Sequence, residues 1–206
     1  MDTGVIVAGG RSTRFGDDDK AVAPLAGTPM IRRVADRLSG VVDELVINCR
    51  EDQIEAVEAA LSDVGRPVVL APDPEPDQGP MAGIRTGLAA ATGDYAVVVA
   101  CDMPYVEPAL VEYLFERAAG HDAAVPRLGD GWFQTTQAVY RAAAMVAACE
   151  DALAHGDRRI VAAFDDLDLV TVGEDEVLGV ADLRTFENLN TREEFEAAAA
   201  RFSREE

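Results

Sequence analysis

The stretch that decides the fold is an apolar segment followed by a glycine pair and a charged loop: Gly4-Val-Ile-Val-Ala8, Gly9-Gly10, then Arg11-Ser-Thr-Arg-Phe-Gly-Asp-Asp-Asp-Lys20. An unbroken apolar run that ends in glycine is typical of a strand buried on both faces of a parallel sheet. Glycines placed there let backbone amides approach a phosphate or a base, because no Cβ blocks them. Arg11, Arg14 and Lys20 add positive charge suited to a polyphosphate. The stretch therefore predicts a nucleotide-binding loop after the first strand.

The spacing within this loop differs from the two common phosphate-binding motifs. A dinucleotide fingerprint needs GxGxxG, and a P-loop needs GxxxxGK followed by Ser or Thr. The alternative is an ordinary glycine-rich turn with solvated arginines. Lys20 argues against that alternative, because it is the single lysine among 18 basic residues.

The rest of the chain alternates short apolar runs with helical patterns, which predicts one α/β domain over residues 1–206 with a mostly parallel central sheet and helices on both faces. The predicted strands after the first are Glu44–Asn48, Pro67–Leu70, Tyr95–Ala100, Ala123–Pro126, Thr136–Tyr140, Asp168–Val172 and Phe186–Asn190. The predicted helices are Pro29–Leu38, one through Ile54, Val57 and Leu61, Pro80–Ala91, Pro108–Ala118, Ala142–Leu153, and a last one capped by Thr191 and Glu194. Such a sheet places its ligand at the carboxyl ends of the strands.

Composition narrows the function classes. Net charge is −20, which disfavours binding to DNA or RNA. The longest apolar run, Tyr95–Cys101, is too short to span a membrane, and no signal peptide is visible. Three scattered cysteines and two histidines fit a reducing cytoplasm and disfavour a zinc module. Acidic residues are spread evenly along the chain and lysine is almost absent, which predicts a halophilic protein of a salt-rich cytoplasm. The alternative is an acidic mesophilic enzyme.

Three further segments follow predicted strands or precede helices at the same edge. The first segment is Gln78-Gly-Pro-Met-Ala-Gly-Ile-Arg85, whose glycines would allow close packing against a ligand. The alternative is a plain loop-to-helix junction. Asp102, after the most apolar strand, needs a cation or a donor; Mg²⁺ with nucleotide phosphates suits it, and a turn aspartate is the alternative. Asn188 and Asn190 either bind a ligand or cap the last helix. Cys101 lacks a nearby histidine and is interpreted as a small buried apolar residue, not a nucleophile.

Taken in order, these segments resemble the molybdenum cofactor guanylyltransferases, a family of molybdopterin nucleotidyltransferases. The resemblance runs from residue 4 to about residue 197 and is carried by AGGRSTRFGDDDKAVAPLAGTPM (8–30), QGPMAG (78–83), CDMP (101–104) and NLNTREEF (188–195). It implies a Rossmann-like nucleotidyltransferase fold with GTP and Mg²⁺. The implied reaction transfers GMP to the terminal phosphate of molybdopterin or Mo-molybdopterin and releases pyrophosphate.

The resemblance also implies roles for single residues. Lys20, Arg14 and Asp102 would be catalytic, and Asp102 and Asn190 would hold Mg²⁺. The implied nucleotide-binding residues are Ala8, Gly9, Gly10, Lys20, Asn48, Asp73, Gly79 and Asp102. Asn48 matches less well, because Cys49 stands where the family's asparagine is often found. Phe133–Tyr140 lies where the family has a second-substrate strand.

Two other functions stay open at this point. A sister nucleotidyltransferase would use CTP with molybdopterin, or GTP with a cobamide precursor or a sugar phosphate. A non-catalytic nucleotide-binding module would instead partner a molybdoenzyme or a cofactor carrier, and transient contact with either is also an expectation for the enzyme. Lys20 and Asp102 favour an enzyme, since a binding module has little need of a metal-binding carboxylate. No nucleic acid or membrane partner is expected.

Overall fold

The computed structural model describes residues 1–10, 19–75 and 78–205. Seven strands form a central sheet and two form a small antiparallel hairpin. The strands are β1 (Asp2–Val7), β2 (Pro24–Leu25), β3 (Thr28–Pro29), β4 (Glu44–Cys49), β5 (Val68–Pro72), β6 (Tyr95–Ala100), β7 (Ala123–Arg127), β8 (Gln137–Arg141) and β9 (Leu169–Gly173). The helices are α1 (Met30–Leu38), α2 (Ile54–Ala60), α3 (Pro80–Ala90), α4 (Pro108–Ala118), α5 (Ala142–Ala154), α6 (Glu174–Leu178) and α7 (Arg192–Glu205).

The order of strands in the central sheet is β5-β4-β1-β6-β8-β7-β9. Neighbours from β5 to β6 are all parallel, as are β7 and β9, whereas β8 is antiparallel to both of its neighbours. Only β8 therefore runs against the other central strands of the described chain, which confirms a mostly parallel sheet. The carboxyl ends of β1, β4, β5, β6, β7 and β9 all meet at one edge, and β8 begins there.

Helices cover both faces of the sheet, as predicted. Side chains alternate along β1, so Ile6 and Val5 face opposite ways, and each belongs to a separate buried cluster. The Ile6 face packs against α1, α2, α4 and α6, and the Val5 face against α3, α5 and the 3₁₀ segment Ile160–Asp166. Among the described residues, no helix is long and apolar enough to cross a membrane.

The connection before α7 corrects one prediction. Phe186–Asn190 is not a strand: a 3₁₀ turn spans Leu183–Phe186 and an irregular segment follows it. Its backbone bonds to a loop and not to the sheet, since the amide of Leu189 donates to the carbonyl of Asp102 at 3.0 Å. Phe186 and Leu189 also enter different apolar clusters. Phe186 and Leu189 are apolar because each packs into a buried cluster. This packing brings Asn190 close to Asp102.

The last helix begins as predicted and closes a third apolar cluster. Thr191 Oγ1 accepts from the amide of Glu194 at 3.2 Å, and Glu194 Oε2 accepts from the amide of Thr191 at 2.8 Å, so the capping box is confirmed. Phe202 stacks on Tyr105 with ring centroids 5.0 Å apart. Leu25 of the small hairpin joins the same cluster. This packing ties α7 to the loop after β6.

Candidate nucleotide-binding site

A cleft of about 480 Å³ opens at the carboxyl edge of β1, β4, β5 and β6. The predicted nucleotide-binding residues line it, although they come from four separate segments of the chain: Ala8, Gly9, Gly10, Lys20, Asn48, Asp73, Gly79 and Asp102. The structure thus brings that whole set together. Arg11 and Arg14 lie outside the described residues, so the structure says nothing of the role predicted for Arg14.

Lys20, Asp102 and Asn190 form what we call the lysine cluster. Lys20 Nζ donates to Asp102 Oδ2 at 2.8 Å and to Asn190 Oδ1 at 3.3 Å. Lys20 is only 5% exposed. An ammonium group that is so well shielded needs an anionic partner, and Asp102 supplies it. The ion pair therefore holds the loop after β1 against the loop after β6.

The donors in this cluster suit Mg²⁺ only when a ligand contributes further oxygens. Within the described residues, no group of three or more His, Cys, Asp or Glu side chains is placed to hold a metal ion. Asp102 nevertheless has a second oxygen, Oδ1, that is buried without a hydrogen-bond partner. Mg²⁺ bound beside substrate phosphates commonly uses only one or two carboxylates. The residues present therefore fit a magnesium ion that arrives with a nucleotide.

Asn48 and Asp73 form a second group, which we call the asparagine pair. Asn48 is fully buried, and its Nδ2 donates to Asp73 Oδ1 at 2.7 Å and to the carbonyl of Ala71 at 3.2 Å. Asn48 Oδ1 is buried and has no hydrogen-bond partner. Asn48 therefore lines the cleft, although it matches the family motif less well.

Glycines make room for the asparagine pair. A Cβ on Gly9 would overlap Asp73 Oδ2, and a Cβ on Gly83 would overlap Asn48 Oδ1. Gly10 differs, because a Cβ there would meet no atom of the described residues within 4 Å. Gly9 and Gly83 therefore serve protein packing, a role that the described part of the chain does not indicate for Gly10.

Sequence reasoning missed a polar network behind the glycine pair. Asp19 Oδ2 accepts from Gln53 Nε2 at 2.6 Å and from Arg50 at 3.3 Å. Gln53 Nε2 also donates to the carbonyl of Ala8 at 3.2 Å, and Arg50 donates to the carbonyl of Gly10 at 3.2 Å. Gln53 and Arg50 thus hold the carbonyls on either side of Gly9, and Asp19 holds both of these side chains. The available signal was a glutamine four residues after β4, at the same sheet edge as the cleft.

Cys101 lines the cleft beside Asp102 but does not have the character of a nucleophile. It is partly buried and packs against the core. Burial, and then the charge of Asp102, raise the pKa of its thiol far above the ordinary value. A thiol with a raised pKa carries almost no thiolate at neutral pH. This agrees with the prediction that Cys101 is not a nucleophile.

These features define a nucleotidyltransferase domain, and comparison with known proteins agrees. Residues 4–169 match the family model described as the MobA-like NTP transferase domain. A probable molybdenum cofactor guanylyltransferase of Natronomonas pharaonis is 52% identical over 98% of both chains, and one of Haloferax mediterranei is 40% identical over 96% of this chain and 93% of that one. The chain belongs to the molybdenum cofactor guanylyltransferase family.

Solved structures show the same fold. The molybdopterin-guanine dinucleotide biosynthesis protein A of Archaeoglobus fulgidus superposes with a TM-score of 0.79 at 26% identity, covering 98% of this chain and 99% of that one. A nucleotidyl transferase of Methanothermobacter thermautotrophicus superposes with a TM-score of 0.75 at 26% identity, covering 100% and 99%. The expected Rossmann-like nucleotidyltransferase fold is therefore confirmed.

Proposed function

We propose that this protein transfers GMP from GTP to the terminal phosphate of molybdopterin or Mo-molybdopterin, forming the guanine dinucleotide cofactor and releasing pyrophosphate. The observation that carries the proposal is the contact between Lys20 Nζ and Asp102 Oδ2, 2.8 Å long, in the cleft where four strands end. Family membership supplies the substrates, since the relatives are named for guanylyl transfer to the molybdenum cofactor.

The transfer of GMP depends more on positioning and on neutralisation of negative charge than on a general base. The attacking group is a phosphate that is already anionic, so it needs no deprotonation. Negative charge grows on the α- and β-phosphates as the bond to pyrophosphate breaks. Lys20 neutralises that charge from its shielded position, where a cation acts more strongly than in open water. Ala8, Gly9 and Gly10 align the nucleotide through the backbone that Arg50 and Gln53 hold in place.

Asp102 and Asn190 are the residues that would hold Mg²⁺. When bound, the ion supplies further neutralisation of phosphate charge. Asp102 offers its orphaned Oδ1 for this purpose while Oδ2 stays with Lys20. Asn190 offers an amide oxygen, a ligand that hard cations accept. Magnesium dependence is thus part of the proposal, together with the catalytic role of Arg14.

The acidity of the chain supports a working environment rich in salt. With a net charge of −20, the acidic side chains of the folded state repel one another at low ionic strength. We propose a cytoplasmic enzyme adapted to such conditions, with GTP and molybdopterin as its ligands and with transient contact with a cofactor carrier or a molybdoenzyme.

The direct test is pyrophosphate release from GTP, CTP and ATP, each with and without molybdopterin, in a magnesium titration at high KCl. We expect release only when GTP, molybdopterin and Mg²⁺ are all present. Release with CTP in place of GTP would identify a sister transferase. Saturable GTP binding without pyrophosphate release, with molybdopterin and also with a cobamide precursor or a sugar phosphate as acceptor, would identify a binding module and refute the enzyme.

A further inference from the structure

The loop from β7 to β8 carries Trp132, the single tryptophan of the chain. Its side chain is 74% exposed, more than any other large hydrophobic residue in the part of the chain that the structure describes. An indole is usually buried for most of its area, because few side chains remove more apolar surface from water. Scattered exposed apolar residues are common, so the position of Trp132 and the rigidity of its loop decide whether it has a function.

The position follows from the order of strands. Nucleotide-binding residues follow β1, β4 and β5 on one side of Asp102, which follows β6. The strands on the other side of β6 are β8, β7 and β9. With a nucleotide over β1, β4 and β5, the second substrate must reach the reacting phosphate from the β8 side. The loop from β7 to β8 lies at this edge.

The loop is within reach of the cleft. Thr136 lines the cleft, and Trp132 lies four residues before it. Four residues span at most about 14 Å even when fully extended. That distance is comparable with the length of a pterin that carries a phosphate on its side chain. An acceptor whose phosphate lies near Lys20 therefore places its ring in the region of this loop.

The loop is also held in one conformation. The amide of Trp132 donates to Asp130 Oδ1 at 2.9 Å, and Arg127 Nε donates to the carbonyl of Gly131 at 2.9 Å. The amide of Gly129 donates to Glu174 Oε2 at 2.6 Å, which ties the loop to α6. Hydrogen bonds between side chains and backbone thus fix the loop while the indole stays in solvent. A flat surface held in this way binds a planar ring at low cost in conformational entropy.

We propose that Trp132 is the stacking platform for the planar pterin ring of the acceptor, and hence a specificity-determining residue for the second substrate. The inference rests on the proposed function, since it takes the acceptor to be a pterin phosphate. Stacking between an aromatic side chain and a heterocyclic base stabilises a complex enough to change affinity by about tenfold or more. Trp132 is evident from the sequence, but its use depends on the strand order that places the loop from β7 to β8 on the β8 side of the cleft.

The sole tryptophan provides its own probe. Molybdopterin is titrated into the wild-type protein that holds a non-hydrolysable α,β-methylene analogue of GTP, and tryptophan emission is recorded. We expect saturable quenching in the wild type and no tryptophan signal in Trp132→Phe.

In turnover, Trp132→Ala should raise the KM for molybdopterin about tenfold with the KM for GTP unchanged, and Trp132→Phe should keep the KM for molybdopterin close to the wild-type value. Val69→Ala, an exposed apolar change on the opposite edge strand, is the matched control.

Each other result has a definite meaning. Unquenched emission together with an unaltered KM for molybdopterin in Trp132→Ala would overturn the proposal while leaving the enzyme intact. A difference in sedimentation between wild type and Trp132→Ala would also overturn it, because the indole would then be a contact between copies of the chain. If no nucleotide supports turnover with molybdopterin, the proposed function fails, and the quenching titration still decides whether Trp132 binds the pterin.

Discussion

The lysine cluster and the asparagine pair lie in one cleft but differ in the interactions that hold them together. The lysine cluster joins a full positive charge to a carboxylate, with Nζ and Oδ2 2.8 Å apart. The asparagine pair is fixed by an amide donor, a backbone carbonyl and two glycines that leave room for it. Each keeps one buried oxygen without a partner, Asp102 Oδ1 and Asn48 Oδ1.

The difference indicates which step each group serves. A charge that meets charge growing in the transition state lowers the barrier, and its loss appears in kcat. A rigid polar surface that fits the nucleotide in the ground state changes binding, and its loss appears in KM or in stability. We therefore expect the lysine cluster to control rate and the asparagine pair to control the shape of the nucleotide site.

The largest effect should come from Lys20→Met. This change keeps the apolar stem and removes the ammonium, so we expect kcat for pyrophosphate release to fall about a hundredfold or more, or about 3–4 kcal/mol. The melting temperature should also fall, because Asp102 loses its cation, but only moderately since the Asp102 side chain is 19% exposed and partly hydrated. Arg32→Met, which removes a half-buried cation paired with Asp36 outside the cleft, is the control. Near-normal kcat in Lys20→Met would show that the buried charge is structural.

A smaller loss of rate should follow Asp102→Asn. The change keeps size and shape but removes the anionic oxygen that a hard cation prefers. We expect kcat to fall between tenfold and a hundredfold, about 1.4–2.7 kcal/mol, with the magnesium titration displaced to higher concentration. Asp73→Asn makes the same chemical change in the asparagine pair and should alter the KM for GTP without displacing that titration. If both variants behave alike, the contrast between the two groups is wrong.

A stability effect should appear in Gly83→Ala. The new Cβ overlaps Asn48 Oδ1, and Asn48 has little freedom to move because its amide is held by two hydrogen bonds. Overpacking of this kind costs about 1–3 kcal/mol, and each kcal/mol lowers the melting temperature of a domain of this size by about 2–4 °C. Gly10→Ala adds a methyl group that meets no atom of residues 1–10, 19–75 and 78–205 within 4 Å, and we expect an unchanged melting temperature. Equal melting temperatures for both variants would contradict the packing role of Gly83.

The smallest effect should come from salt. Raising KCl from 0.1 M to 3 M shortens the Debye length from about 10 Å to below about 3 Å, so surface repulsion is largely screened. We expect a reversible rise in melting temperature of several degrees, about 1 kcal/mol or slightly more. The coupling between Lys20 and Asp102, from a double-mutant cycle at both salt concentrations, should hardly change because the pair is shielded. A flat melting series would show that the acidity is incidental.

Much of the site follows from local pattern. The apolar run before Gly9 predicts a buried strand, Tyr95–Ala100 predicts another, and polar residues directly after buried strands of a parallel sheet must meet at its carboxyl edge. That rule places Asp102 at the same edge as Gly9 and Gly10, and Lys20 belongs to the loop that starts with these glycines. The capping box at Thr191 is equally local, since both partners lie within one turn of helix.

Other features depend on contacts that no local pattern reports. Phe186–Asn190 is predicted as a strand, yet its two apolar residues pack into two different clusters and the segment pairs with no strand of the described residues. The bond from Gln53 to Ala8 joins residues 45 positions apart through a side chain whose partner could not be guessed. Hydrogen bonds between distant loops are selected by the packing of whole elements, and a single sequence carries no separate signal for them.

The sequence by itself determined the class of fold and pointed to the loop after β1, Lys20 and Asp102, because hydrophobic period, glycine position and residue chemistry are local properties. Only the tertiary structure decided that Lys20 is shielded from water, that Asn190 reaches it from the far end of the chain, and that Gly9 and Gly83 make room for the asparagine pair. It also decided that Trp132 lies at the edge of the sheet where the cleft opens. The physical reason is that burial and neighbourhood are properties of the packed chain, fixed by strand order and helix packing after local structure has formed.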